Sequence, residues 1–293
     1  MLDVRRLRLL RDLAQHGTIA AVAAAHTYTP SAVSQQLAAL EREAGVALLA
    51  RTGRTVALTP AGRTLVAHAE EVLAALERAG SALAAARTGL SGPLRIGAFP
   101  TAMRTLLPPA LVRLAAAHPA LELSVHELDP AVVPQMLRDA ALDVALVHDY
   151  DLVPIEPDPA LRTAPLRDET IFIAAPGRRD LAGCRDEPWI LASPGTLCHT
   201  MTVRACEAAG YTPRVRHHAD DFVTVLTFVA AGQGVALVPE LAAVDVPAGV
   251  VLTPLPTRRR TRLAFRAGAE RHPAVEAFAE ALGSAAGAEE VPG

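Results

Sequence analysis

Apolar positions along the first ninety residues recur at helical spacing. Leu7, Leu10 and Ala14 fall about one turn apart and Gly17 follows as a stop, which predicts a first helix. Thr18 caps a short second helix carrying Ile19 and Val22. Thr29-Pro30 pairs a capping residue with proline at the first helical position, where its missing N–H is harmless. It opens a third helix with Val33, Leu37, Leu40 and Ala44 on one face and Gly45 at its end. The stretch Leu48 to Leu58, with Thr52-Gly53-Arg54 at its centre, predicts a two-stranded hairpin. Thr59-Pro60 repeats the cap signal. Beyond it Leu65, Ala69, Val72, Leu76, Ala79 and Leu83 are spaced 4, 3, 4, 3 and 4 residues apart, a heptad seam along one long helix.

Ser91-Gly92-Pro93 ends this helical region, and strands then alternate with helices. The expected strands are 94–99, 121–128, 143–148, 170–174, 189–192, 215–219, 235–238, 250–255 and 262–266. Helices are expected at about 104–117, 130–140, 200–209, 221–231 and 274–285. Alternation of this kind predicts parallel sheets covered by helices, an α/β region whose ligands lie at the carboxyl ends of strands. A split near 157–166 divides it into two subdomains with a cleft between them. The expected division is a helical unit with one hairpin at 1–58, a long helix at 59–90, and an α/β domain at 91–293. Within the last, subdomain I covers 91–161 and 265–293 and subdomain II covers 162–264.

With 51% hydrophobic and 20% charged residues the chain is an ordinary globular one, neither disordered nor fibrous. The net charge of −3 names no partner, but residues 1–90 hold ten Arg against seven acids and the remainder is acidic. The basic end is the helical one. Three cysteines, Cys184, Cys198 and Cys206, contain no CxxC, so neither a disulfide framework nor a four-ligand zinc site is supported, and no cofactor or metal is expected. No apolar run approaches the roughly 18 residues of a membrane span, which points to a soluble cytoplasmic protein with no membrane partner.

Helix, short helix, turn, third helix and hairpin are the layout of a winged helix-turn-helix. A helix that enters the major groove must present groups that bond base edges without desolvating a charge, and Ser31, Ser34 and Gln35 near the start of the third helix do this. A merely solvated face would be dominated by Glu, Lys and Arg. Arg51 and Arg54 on the hairpin, and the N–H groups behind Thr59, suit phosphates.

The segment Thr29 to Gly62, TPSAVSQQLAALEREAGVALLARTGRTVALTPAG, resembles the DNA-binding signature of LysR-type transcriptional regulators, and the similarity runs to the end of the chain. The resemblance implies a winged helix-turn-helix, a linker helix that pairs two chains, and a C-terminal effector domain like periplasmic solute-binding proteins, assembled as a homodimer or tetramer on double-stranded DNA. RNA polymerase enters as a further partner. Carried over by position, Pro30, Ser31, Ser34 and Gln35 stand where the family meets DNA, with Arg51, Thr52, Arg54 and Thr59 toward the backbone. Many members have Gln at the place of Pro30 and a basic residue at that of Gln35, so the family's base preference does not carry over.

In the C-terminal region the resemblance places Thr101 at a helix cap facing the cleft, and Tyr150, Asp221 and the loop Pro194 to Thr200, with Thr196, Cys198, His199 and Thr200, near it. Helix N-termini aimed into a cleft favour anions, so a small anionic metabolite is the expected effector. Cys198-His199 before a helix also fits a reactive thiol. Peroxide-sensing members of the family use two cysteines in this neighbourhood, but the eight-residue interval from Cys198 to Cys206 is not theirs, and a pocket-lining thiol is the preferred reading. The competing function is a hydrolase- or acyltransferase-like α/β enzyme with Cys198 as nucleophile, His199 as base and a helical dimerisation arm. It leaves the uncharged third-helix face unexplained. Gly232-x-Gly234 lacks the third glycine of a dinucleotide fingerprint, and adjacent His217 and His218 point to opposite faces of a strand.

Overall fold

A computed structural model describes residues 1–52, 55–87, 89–154 and 156–286. The chain divides into two compact units, residues 1–86 with 266–272, and 87–265 with the C-terminal stretch from 273.

The first unit contains α1 (Val4–His16), α2 (Ile19–Ala25), α3 (Pro30–Ala44), β1 (Leu49–Thr52), β2 (Thr55–Leu58) and α4 (Pro60–Ala85). Its boundaries are set by caps, all but Asp3 expected from the sequence. Side chains of Asp3, Thr18, Thr29 and Thr59 each accept a first-turn N–H, and Gly17 and Gly45 close α1 and α3 in the left-handed conformation. The core gathers Leu7, Leu10 and Leu13 of α1, Val22 of α2, Val33, Leu37 and Leu40 of α3, Leu48, and Ala69 of α4. Asp12 is fully buried there, and its carboxylate is held by Arg11 Nε at 2.6 Å and His26 Nε2 at 2.5 Å, as a buried charge requires. Hairpin and long helix meet at Gly62, where an added Cβ would lie 2.2 Å from the Leu48 carbonyl oxygen. Only glycine admits so close a backbone approach.

The heptad seam of α4 divides in two. Leu65 and Ala69 pack into the core, whereas Val72, Leu76 and Leu83 are exposed by 39%, 50% and 72%. Lower on the same helix, Ser81 donates to the Gly268 carbonyl and Glu77 pairs with Arg266, so the 266–272 segment is fastened to α4.

The second unit comprises β3 (Gly92–Ala98), α5 (Pro100–Arg104), α6 (Leu107–Ala117), β4 (Leu121–Glu127), α7 (Val133–Arg138), β5 (Val144–Tyr150), β6 (Leu161–Ala175), β7 (Pro188–Leu191), α8 (Leu197–Ala208), β8 (Arg214–His218), α9 (Phe222–Ala230), β9 (Ala236–Pro239), β10 (Val251–Arg266) and α10 (Pro273–Ala286). Six strands form a sheet in the order β4-β3-β5-β10-β6-β9, and β7 and β8 pair separately in parallel. The sheet is mixed, which corrects the expectation of parallel sheets alone: β3 is parallel to β4 and β5, but β10 runs antiparallel to β5 and β6 antiparallel to β9.

Two strands are much longer than the hydrophobic pattern suggests. The expected strand at 170–174 is the end of the 15-residue β6, and those at 250–255 and 262–266 are one 16-residue strand, β10. The break in the pattern is Thr257-Arg258-Arg259-Arg260-Thr261, which reads as polar. Yet Thr257, Arg259 and Thr261 are all buried, alternating with less buried neighbours in the period of a strand. No helix among the described residues is long and apolar enough to cross a membrane.

Candidate functional site

The face of α3 opposite its buried Val33, Leu37 and Leu40 consists of Pro30, Ser31, Ser34, Gln35 and Ala38, all exposed. Thr29 caps the helix by accepting from the Ala32 N–H at 3.1 Å, and Pro30 occupies the first helical position. The Ser34 hydroxyl donates to the Pro30 carbonyl at 2.9 Å, which leaves its lone pairs as acceptors. No charge stands on this face between Pro30 and Ala38. Thr59 serves the fold: its hydroxyl donates to the Ala47 carbonyl at 2.8 Å and accepts from the Gly62 N–H at 3.0 Å, tying the hairpin to α4. Arg51 and Thr52 lie on β1, of which the backbone is described, and Arg54 lies outside the described residues. Arg63, exposed in the first turn of α4 and donating to the Leu58 carbonyl, is a cation beside the hairpin that the motif reading passed over.

In the second unit, strand ends and helix starts converge on a cavity of about 300 Å³. Phe99, Pro100 and Thr101 follow β3, His148 stands on β5, Thr196, Cys198 and Thr202 belong to the cap and first turns of α8, and Asp220 and Phe222 precede and begin α9. Arg259 enters from β10. This is the expected location of a ligand in an open α/β sheet.

The polar groups are tightly constrained. Arg259, 1% exposed, donates from Nε and Nη2 to both oxygens of the fully buried Glu169 at 2.8 and 2.9 Å, and from Nη2 to Thr101 Oγ1 at 3.1 Å. His148 sits edge-on between the rings of Phe99 and Tyr150, at 4.6 and 5.2 Å. Burial, and then the Arg259 charge, push its pKa well below the ordinary histidine value, so the imidazole is neutral. Tyr150 Oη and Cys198 Sγ are 3.1 Å apart. Burial raises the pKa of both groups, keeping phenol and thiol protonated.

Of the residues expected at the cleft, Thr101, Thr196 and Cys198 line the cavity, and Tyr150 stands directly behind Cys198. His199, Thr200 and Asp221 are not among its lining residues. The His199 ring stacks on His218 at 6.3 Å, Thr200 donates back to the Thr196 carbonyl, and Asp221 caps α9 through the Thr224 N–H and hydroxyl. Burial would raise the Asp221 pKa, but these bonds outweigh it and hold the carboxyl below its usual value. His148, Arg259, Asp129, Asp220 and Phe222 were missed. Strand alternation of His148 with Tyr150 was the available signal for the first, whereas Arg259 was hidden in a run that reads as solvated charge.

Residues 4–63 match the bacterial regulatory helix-turn-helix protein, lysR family, and residues 87–287 match the LysR substrate binding domain. The chain belongs to the LysR family. It is a LysR-type transcriptional regulator that joins a helix-turn-helix DNA-binding domain to an effector-binding domain. It is 31% identical over 300 residues to the DNA-binding transcriptional dual regulator OxyR of Escherichia coli K12, covering 96% of this chain and 95% of that protein. To a probable hydrogen peroxide-inducible genes activator of Streptomyces viridosporus it is 34% identical over 297 residues, covering 96% and 93%. Among solved structures, a mutant of OxyR from Corynebacterium glutamicum matches at 28% identity with a TM-score of 0.59, covering 98% of this chain and 92% of that one.

The LysR family and these relatives are transcriptional regulators, so the enzyme reading of Cys198 and His199 falls. The geometry has a physical reason to agree. The thiol that a nucleophile would need ionised is held protonated, and its hydrogen-bond partner is Tyr150 and not His199.

Proposed function

We propose that this LysR-type regulator binds a partly palindromic operator as a homodimer or dimer of dimers, with α3 of each copy in a major groove and a small-molecule effector in the 300 Å³ cavity changing the spacing of the DNA-binding pairs. Pro30, Ser31, Ser34 and Gln35 are the base-facing group, and Arg51, Thr52, Arg54 and the backbone behind Thr59 face the phosphates. The observation that carries the reading is the uncharged, exposed face of α3 beside a two-stranded hairpin. The exposed part of the α4 seam, Val72, Leu76 and Leu83, supports pairing through that helix. An effector acts by preferring one of two assemblies, and RNA polymerase is the downstream partner. The test is a mobility shift with the gene's own upstream region against a scrambled duplex, with and without candidate effectors. Equal binding to both duplexes refutes the proposal.

The relatives named for hydrogen peroxide favour a second reading, oxidation of Cys198 and Cys206. Burial runs against it, since it raises the Cys198 pKa and pushes Cys206 up to about 11, leaving little thiolate at neutral pH. Peroxide is therefore expected to leave operator binding unchanged. A peroxide response abolished by Cys198→Ser would put the redox reading in place of the effector one.

A further inference from the structure

The charges and hydrogen bonds around the cavity restrict the chemistry of what it takes. Arg259 is the one arginine among its lining residues, and its charge is matched by the bidentate Glu169 carboxylate and further occupied by Thr101 and by the Phe99 ring, 4.9 Å from the guanidinium carbon. His148, the other basic side chain, is neutral for the reasons given above. Against these stand three carboxylates on the lining, Glu127, Asp129 and Asp220, all on the solvent-exposed side. Each helix end at the cavity has a first-turn N–H capped from within the chain, the His199 N–H of α8 by Thr196 and the Thr224 N–H of α9 by Asp221. A carboxylate entering this space would meet like charge at the mouth and no uncompensated cation within. The remaining wall is largely apolar, with Phe99, Ile190, Leu197, Phe222, Val225 and Leu237, and the Thr196 and Thr202 hydroxyls on it already donate to the Ser193 and Cys198 carbonyls.

One polar request is left unanswered. His148 is 4% exposed, and neither ring nitrogen has a hydrogen-bond partner. A neutral imidazole carries one donor and one acceptor nitrogen pointing in divergent directions, and a hydroxyl, able to donate or accept, can meet whichever of the two faces it. The ring lines the cavity, and its χ2 torsion is broad, so reaching a ligand hydroxyl requires it to turn between Phe99 and Tyr150.

We propose that the cavity selects an uncharged, largely apolar molecule of about one ring carrying a hydroxyl held by His148, and rejects carboxylates of the same size. This rests on the reading of the cavity as the effector site. A volume of about 300 Å³ lies at the small end of ligand pockets, which fits a single substituted ring.

The test is calorimetric titration of the full-length protein near neutral pH with phenol, toluene and benzoate as probes. Phenol binds, and benzoate binds at least about tenfold more weakly. His148→Phe lowers phenol affinity by about tenfold and leaves toluene unchanged, while His148→Gln, which keeps a donor and an acceptor, retains most of the preference for phenol. Ala219→Trp, filling the cavity, removes all binding. Benzoate binding as tightly as phenol, phenol affinity indifferent to His148→Phe, or phenol binding that survives Ala219→Trp overturns the proposal. Phenol that binds with this selectivity yet leaves operator affinity unchanged refutes the effector reading alone.

Discussion

Arg259 and Glu169, on the neighbouring strands β10 and β6, form a two-pronged ion pair from which solvent is excluded. Glu169 also accepts from the Leu241 N–H at 2.9 Å and from the Thr261 hydroxyl at 3.2 Å, so one carboxylate organises three segments. Removing either partner strands the other charge in the interior. Glu169→Leu is expected to destabilise the protein by about 3–5 kcal/mol in urea unfolding, and Glu169→Leu with Arg259→Met to recover most of that. A single variant within about 0.5 kcal/mol of the parent would show the pair to be solvated.

Gly62 lies where the long helix passes the hairpin. Gly62→Ala drives a methyl against the Leu48 carbonyl, which rigid backbone on both sides cannot yield without distortion. A loss of roughly 1–3 kcal/mol is expected. Thermal unfolding and operator affinity should fall together, and an unchanged melting temperature would argue against the close approach.

Reading bases and holding phosphates separate in their response to salt. Gln35→Ala is expected to weaken the specific site by about 1–3 kcal/mol while nonspecific affinity and the salt slope stay as they were. Arg54→Ala should weaken binding to every duplex and reduce the slope by about one unit. Titrations at several salt concentrations distinguish the two, and equal losses of Gln35→Ala on specific and random DNA would remove Gln35 from the base-facing group.

Leu76 and Leu83 are exposed on α4, so a charge there spares the fold of one chain. Leu76→Glu with Leu83→Glu is expected to shift sedimentation velocity to a lighter species with helical content unchanged. An unaltered sedimentation coefficient would place the self-association elsewhere.

His148 ties stability to acidity. Its pKa is depressed in the folded chain, so below the ordinary value of 6.5 the unfolded chain binds the proton more readily. Stability is therefore full above that pH and falls as pH drops below it, by up to about 1.4 kcal/mol per pH unit until the folded-state pKa is reached. His148→Phe should flatten this part of the profile. A parent and a variant with the same slope between pH 6.5 and 5.5, about one unit, would show the imidazole to be charged.

The helical unit was legible because its signals are local. Thr18, Thr29 and Thr59 cap the helices they precede, and Gly17 and Gly45 close those they follow. The cavity was less so, since its members come from strands and loops far apart in the chain and are brought together by sheet order. Thr101, Thr196 and Cys198 were reached through the family resemblance, but Arg259 was not, because burial against Glu169, ninety residues away, cannot be inferred from three consecutive arginines. The same long-range pairing explains why β10 looked like two strands. Asp220 and Asp221 show the limit of position alone: one lines the cavity and its neighbour caps a helix.

The division of the α4 seam has a metric consequence. Twenty-six residues at about 1.5 Å each make a rod of about 39 Å, close to the roughly 34–36 Å repeat of duplex DNA. Its near end is packed into the helix-turn-helix core by Leu65 and Ala69, so under the proposed pairing along Val72, Leu76 and Leu83 the length of α4 bounds how far apart two such cores can stand.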